Sequence, residues 1–469
     1  MTLLLLVATA FASGPDWFVR YDVPATAGPP VDTCASVVAV ESPAVPPPTH
    51  VASSDPPVSP DVQAMTPWDA TPGALQAHLP AEVRARLGLP GPFDVATIAL
   101  EPLRGHPADL ARVSAVLAKA ARREGVTRVS FWGASHVAGE FFTGELRRLL
   151  QDRYGDAGHG FVMPAAPWKG YRGSDVNLCT SGTWASDYHN RPGGRRDGLL
   201  GIAGISVEAS TPASSGWVQT TLTNPHGRAV SRFEVLFLRQ PGGGSVDLSV
   251  DGTGPIRVST AGEQGAGGVS LVVSEGPHRL AVTPAGDGPV RIFGVQLERD
   301  VPGVVVDAMG VTERTASSWL GWDPVLMGAY LSRRMPDLAV LAYGTNEANE
   351  SGLSEPVYRD SLRAVLTRMR TLLPDAACVL IGPSDRGRKV RGNAHVIWGP
   401  TALVARVQRE VGPEFGCATW DLQEATGGPG SMFRWRSTEP TLVAADLLHF
   451  SAKGYQELAR RFLAAVDQP

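Results

Sequence analysis

The sequence predicts an α/β protein, an open and mostly parallel sheet interrupted by an inserted all-β segment. Three observations carry that expectation. Five short apolar runs alternate with stretches of helical period. They lead to Gly133, Gly310, Gly344, Gly382 and Asp421, where a strand gives way to a loop. Between the first and second runs the period changes to short strands separated by glycine-rich turns.

The elements follow in order. From about Asp109, Leu110, Val113, Val116 and Leu117 recur at helical spacing, and the first apolar run follows over residues 126–132. A second amphipathic helix passes through Phe141, Phe142, Leu146, Leu149 and Leu150. Helix, strand, turn and helix in that order belong to an α/β sheet. Residues 171–298 lack a helical period. Runs such as 232–238, 246–250 and 290–293 are divided by Gly242-Gly243-Gly244, Asp251-Gly252 and Asp287-Gly288, which is the pattern of a β-sandwich. The remaining apolar runs cover 304–306, 338–342, 377–381 and 418–420, with helical stretches at 358–373 and 403–411. In such open sheets ligands bind beyond the carboxyl ends of the strands.

The chain has 469 residues and a formal charge of −4, so it offers no electrostatic footprint for nucleic acid. No run of Lys and Arg suggests a membrane surface. Residues 1–12, MTLLLLVATAFA, hold an apolar run too short to span a bilayer and end in a small-x-small pattern. They are expected to be a signal peptide, a buried strand or a misassigned start being the alternatives, and the protein is expected to be secreted or held in the cell envelope. Residues 13–60 are rich in Pro, Ala, Ser and Val and read as a linker of polyproline character. Cys34, Cys179, Cys378 and Cys417 show no C-x-x-C spacing, hence no zinc or redox motif. Cys378 and Cys417 lie in apolar runs and are read as small hydrophobes on core strands, with a disulfide between them as the alternative.

Three segments carry chemistry. In Gly133-Ala134-Ser135-His136 a serine stands between a strand and a helix, at the sheet's carboxyl edge and at a helix N-terminus that favours anionic charge. In Tyr343-Gly344-Thr345-Asn346-Glu347 a carboxamide follows a buried strand directly. In Asp446-Leu447-Leu448-His449 the three-residue spacing lets a carboxylate reach the imidazole and fix its tautomer. Each alone has an ordinary explanation: a serine cap, a loop asparagine bonding its own backbone, a surface Asp–His pair at a helix start. Glu347 reads as a helix cap, and His136 and His159 as structural.

Together the blocks, in this order and on these elements, resemble the SGNH (GDSL-like) hydrolase family. Gly133-Ala134-Ser135 matches its first block, with Ala134 where the family usually has Asp. Gly310 corresponds to its oxyanion-hole glycine, Gly344-Thr345-Asn346 to its Gly-x-Asn block, and Asp446 to His449 to its Asp-x-x-His block. The resemblance implies a flavodoxin-like hydrolase domain, residues 61–170 and 299–469, carrying a jelly-roll-like insert at 171–298. It implies a serine esterase with Ser135 as nucleophile, His449 as base and Asp446 as its partner. The oxyanion hole would be formed by Ser135, Gly310 and Asn346, with no metal or cofactor required. The layout looks most like bacterial peptidoglycan O-acetylesterases, whose sandwich resembles a carbohydrate-binding module. Residues 141–146 and 427–432 are softer matches to that subgroup. The implied partner is an acetylated polysaccharide or peptidoglycan, without nucleic acid or stable membrane insertion. Trp168, Tyr171, Trp184, Tyr188, Trp217, Trp398 and Trp435 are candidate sugar-stacking surfaces, each with a core position as the alternative. Two other classes remain open: a carbohydrate-binding protein with a decayed hydrolase domain, and a lipid or thioester hydrolase on the same fold.

Overall fold

The structure, a computed structural model, describes residues 17–29, 93–389 and 395–468. The expected signal peptide, most of the proline-rich stretch and residues 61–92 lie outside the described residues.

All five apolar runs form one parallel sheet. Its order is Gly303–Gly310, Val126–Gly133, Leu338–Ala342, Ala377–Ile381, Cys417–Trp420. With these strands counted along the chain, the order is 2-1-3-4-5, the flavodoxin-like arrangement. The strands read as continuous apolar runs because both faces are covered. Residues alternate between the two faces. Val129, Phe131, Val340 and Val379 pack on the helices Pro107–Ala121, Phe141–Tyr154 and Ala452–Asp467. Trp132, Ala339, Leu341 and Leu380 join the other core with Tyr330, Leu362, Val365 and Val404, from the helices Pro324–Arg333, Glu355–Leu372 and Pro400–Val411.

Two further sheets, largely antiparallel, take all but one of their strands from the chain between the first and second parallel strands. One runs Ile256–Ser259, Ser245–Val250, Arg279–Pro284, Ser215–Thr220, Val176–Ser181. The other is centred on Val230–Arg239, flanked by Gly265–Gly276 and Val290–Glu298. Both contribute to a single apolar core that continues onto one face of the parallel sheet. Leu248 and Val282 from the first sheet, Val235 and Phe293 from the second, and Trp132 and Trp319 beside the parallel strands all belong to it. A buried charged junction ties the same regions together. Glu298 lies against Arg128, Arg334 (2.5 Å) and Arg232 (2.7 Å), and Asp307 accepts from Ser130 Oγ at 2.8 Å and from the Phe161 N–H at 3.0 Å. Burial raises the Glu298 carboxyl pKa, but the three guanidinium groups outweigh it and hold the group well below the usual carboxylate range.

Three expectations are corrected. Phe18–Asp22, within the supposed linker, is a strand paired in parallel with Gly265–Gly276, and Trp17 packs edge-on against Tyr330. Its alternation is short and sits among prolines, so composition hid it. Gly160–Val162 already pairs with Val290–Glu298, ahead of the expected start of the all-β segment at residue 171. Cys378 and Cys417 are not free hydrophobes. They face each other on neighbouring parallel strands and form a disulfide. Cys179 is disulfide-bonded as well. Among the described residues no helix is long and apolar enough to cross a membrane.

Candidate active site

Sheet register brings the three segments to one edge. Gly133 ends its strand opposite Gly310 on one side and Ala342 on the other. Ser135 therefore emerges between the loop holding Thr312 to Arg314 and the loop holding Asn346, at the point where strand order reverses. It begins the short helix Ser135–Ala138, whose cap Ala134 makes no side-chain bond, so the support an Asp there would give is absent. Gly133 and Gly310 permit this close fit. A Cβ on Gly310 would lie 2.2 Å from the Ala138 nitrogen, against the backbone of the Ser135 turn. The neighbouring Val311 N–H donates to the Gly133 carbonyl at 2.9 Å, which locks the two strand ends together.

The third segment comes from the far end of the chain. His449 Nε2 stands 2.8 Å from Ser135 Oγ, and His449 Nδ1 stands 2.7 Å from Asp446 Oδ2. Asp446 also accepts the backbone N–H groups of Leu448 (3.1 Å) and His449 (3.0 Å) through Oδ1. These bonds fold the four residues into a tight turn, with Leu447 left-handed at φ 52°. The helix Ala452–Asp467 starts only afterwards, so this is not a pair at a helix start. Burial raises the Asp446 carboxyl pKa. The His449 ring and the two N–H groups more than offset that and hold it below the usual range. An ionised Asp446 accepts from Nδ1–H, which leaves Nε2 as the proton acceptor facing Ser135.

Asn346 donates through Nδ2 to the Arg314 carbonyl at 2.8 Å, which fixes the carboxamide and leaves its second N–H for another acceptor. Gly344 is the bend that makes this possible. Its φ is +126°, and a Cβ there would meet Pro383 at 2.7 Å. Glu347 does more than cap a helix: its carboxylate accepts the Ala316 and Gly344 N–H groups, each at 2.8 Å, and so ties the two loops beside Ser135 together. Burial pushes its pKa up to about 7, against the opposing effect of those backbone bonds. Sequence reasoning missed this role because its partners lie on separate loops, and the buried acid after Asn346 was the available signal.

His136 is structural in its surroundings but adjacent to the site. Its Nδ1 is 2.8 Å from Tyr455 Oη, and its ring centroid is 5.3 Å from that of His449. Burial, then the nearby His449, lowers its pKa to about 3, so it stays neutral. His159 is buried and shifted down for the same first reason. Of the candidate stacking aromatics, Trp435 is core. Trp217 lies under Arg279, and Trp184 is half-buried in the loop just before the strand Ala185–Tyr188. Trp168, Tyr171 and Tyr188 form one cluster, with Trp168 at 5.3 Å from Tyr171 and 6.5 Å from Tyr188. Trp398 donates to the Ala348 carbonyl at 2.8 Å, close to Asn346 in the chain.

Residues 270–457 match the GDSL-like Lipase/Acylhydrolase family. A solved structure described as a peptidoglycan O-acetylesterase in action is 27% identical with a TM-score of 0.64, covering 78% of this chain and 99% of that one. A family two carbohydrate esterase from Clostridium thermocellum, in complex with cellohexaose, is 14% identical with a TM-score of 0.26, covering 56% and 94%. One from Cellvibrio japonicus is 13% identical with a TM-score of 0.24, covering 62% and 98%. No curated protein sequence matches significantly. The protein is a carboxylic ester hydrolase. It has the SGNH hydrolase fold, with the parallel sheet of that fold.

Proposed function

We propose that this protein removes O-acetyl groups from peptidoglycan or another extracellular polysaccharide, using Ser135 as nucleophile. The observation that carries the chemistry is the continuous contact from Ser135 Oγ to His449 Nε2 and from His449 Nδ1 to Asp446. His449 takes the serine proton as Oγ adds to the acetyl carbonyl, and Asp446 stabilises the imidazolium. The tetrahedral oxyanion is met by the Ser135 N–H at a helix N-terminus, by the second N–H of Asn346 and by Gly310 at the adjoining strand end. Collapse breaks the ester bond. The sugar oxygen leaves with the proton from His449, and the acetyl group stays on Ser135. Water, deprotonated by His449, then releases acetate and restores the serine.

The substrate class is supported by the likeness to a peptidoglycan O-acetylesterase over most of both chains. In this proposal the sheets spanning residues 171–298 act as a carbohydrate-binding-module-like sandwich, and residues 1–12 export the chain. The Cys378–Cys417 disulfide fits an oxidising compartment. The test compares acetate release from O-acetylated peptidoglycan with hydrolysis of a small acetyl ester and a long-acyl ester. Polymer deacetylation with little long-acyl hydrolysis is expected. Preference for the long-acyl ester would replace this reading with a lipid hydrolase.

A further inference from the structure

Arginines across the fold are mostly spent on carboxylates. Arg148 binds Asp175, Arg291 binds Asp197, Arg363 binds Glu414, and Arg128, Arg232 and Arg334 surround Glu298. On the loops that flank Ser135 the pattern reverses. Arg314 follows the Gly303–Gly310 strand, and its guanidinium carbon lies 5.2 Å from the centroid of the Tyr188 ring. Its Nη1 donates to the His189 carbonyl at 2.9 Å. Its Nη2 has no hydrogen-bond partner among the described residues and is not buried. Arg191 approaches the same ring at 6.0 Å, and Trp168 adjoins it. On the opposite flank, after the Ala377–Ile381 strand, exposed Arg388 lies 4.2 Å over the Trp398 ring. Among the described residues none of these three arginines is ion-paired.

Three acids of the same edge are already engaged. Asp446 holds His449, Glu347 holds two backbone N–H groups, and Asp187 accepts the N–H groups of Tyr188 and Arg195. Exposed Glu313, beside Arg314 in sequence, makes no ion pair among the described residues. A guanidinium lying on an aromatic face is held in place while its N–H fork stays available, and that fork matches a carboxylate in a bidentate way. An aromatic ring such as that of Trp168, which adjoins Tyr188, suits the apolar face of a sugar ring.

Resting on the esterase reading above, we propose that the cleft binds a glycan bearing carboxylates. Arg314 and Arg191 on the Tyr188–Trp168 wall hold one side, and Arg388 on Trp398 holds the other. This wall also gives the all-β segment a part in binding, because Tyr188 belongs to its strand Ala185–Tyr188.

The test uses the full chain and O-acetylated muropeptide fragments, compared with the same fragments after their carboxylates have been converted to amides. At low salt the carboxylate form is expected to show a kcat/KM about tenfold higher, mainly through KM, and the advantage should shrink at high salt. The triple variant Arg191→Gln, Arg314→Gln, Arg388→Gln should abolish the preference. Equal rates for the two forms, or a preference that survives all three substitutions, would overturn the proposal. Failure on both forms while a small acetyl ester is still cleaved would overturn the polysaccharide reading on which it rests.

Discussion

The strand Val126–Gly133 carries a polar cluster towards each end. Near its start, Arg128 and Ser130 join Asp307, Glu298, Arg232 and Arg334, with charges of both signs packed together largely out of water. Beyond its end, Ser135 meets His449 and Asp446, whose side chains are 34% and 50% exposed, and the flanking arginines lie on aromatic rings instead of carboxylates. The first cluster has no charge to offer a ligand and joins sheets. The second is open, with a hydroxyl, an imidazole and a carboxylate in contact and arginines outside ion pairs. Arginine content alone does not distinguish the two, but the partners do.

Gly310→Ala should do the most damage at the open end. Its Cβ would press on the Ser135 turn, and a misplacement of about 1 Å there can cost on the order of a hundredfold in turnover. Acetyl-ester kinetics with a circular-dichroism check of folding would show this. Near-normal turnover would mean that the Ser135 turn tolerates displacement.

Glu347→Gln should have a smaller effect. The amide supplies only one acceptor for two N–H groups, so a loss of about tenfold in kcat with KM little changed is expected. The substitution should also alter the pH dependence of stability. Because burial raises the Glu347 pKa to about 7, the folded chain holds a proton that the unfolded chain has released above its own, lower pKa. That contribution is complete below the unfolded pKa and is lost as pH rises through about 7. The slope of the thermal midpoint over this range should therefore flatten in Glu347→Gln, and an unchanged slope would contradict the assignment.

Glu298→Gln should leave turnover per folded molecule unchanged. It removes the shared partner of three buried or half-buried arginines, so stability should fall by about 3–5 kcal/mol in denaturant titration. Loss of activity without loss of stability would mean that the junction communicates with the site.

How much of this is legible in the sequence follows the same division. The parallel strands are readable because burial on both faces leaves continuous apolar runs such as residues 338–342. Asp446 and His449 are readable because their contact spans three residues. The Cys378–Cys417 disulfide escapes such a reading, since nothing local reveals that their strands are neighbours. The bonding of Glu347 depends on Ala316, and the setting of Arg314 depends on Tyr188. Those are pairings that only the folded sheet edges create.

The central claim is that His449 activates Ser135 as the nucleophile, and covalent labelling tests it most directly. A fluorophosphonate should add one equivalent to the peptide containing Ser135, with esterase activity lost in proportion, and His449→Ala should label far more slowly. Complete inactivation with the label on another residue, or Ser135→Ala retaining more than about a tenth of wild-type turnover, would contradict it.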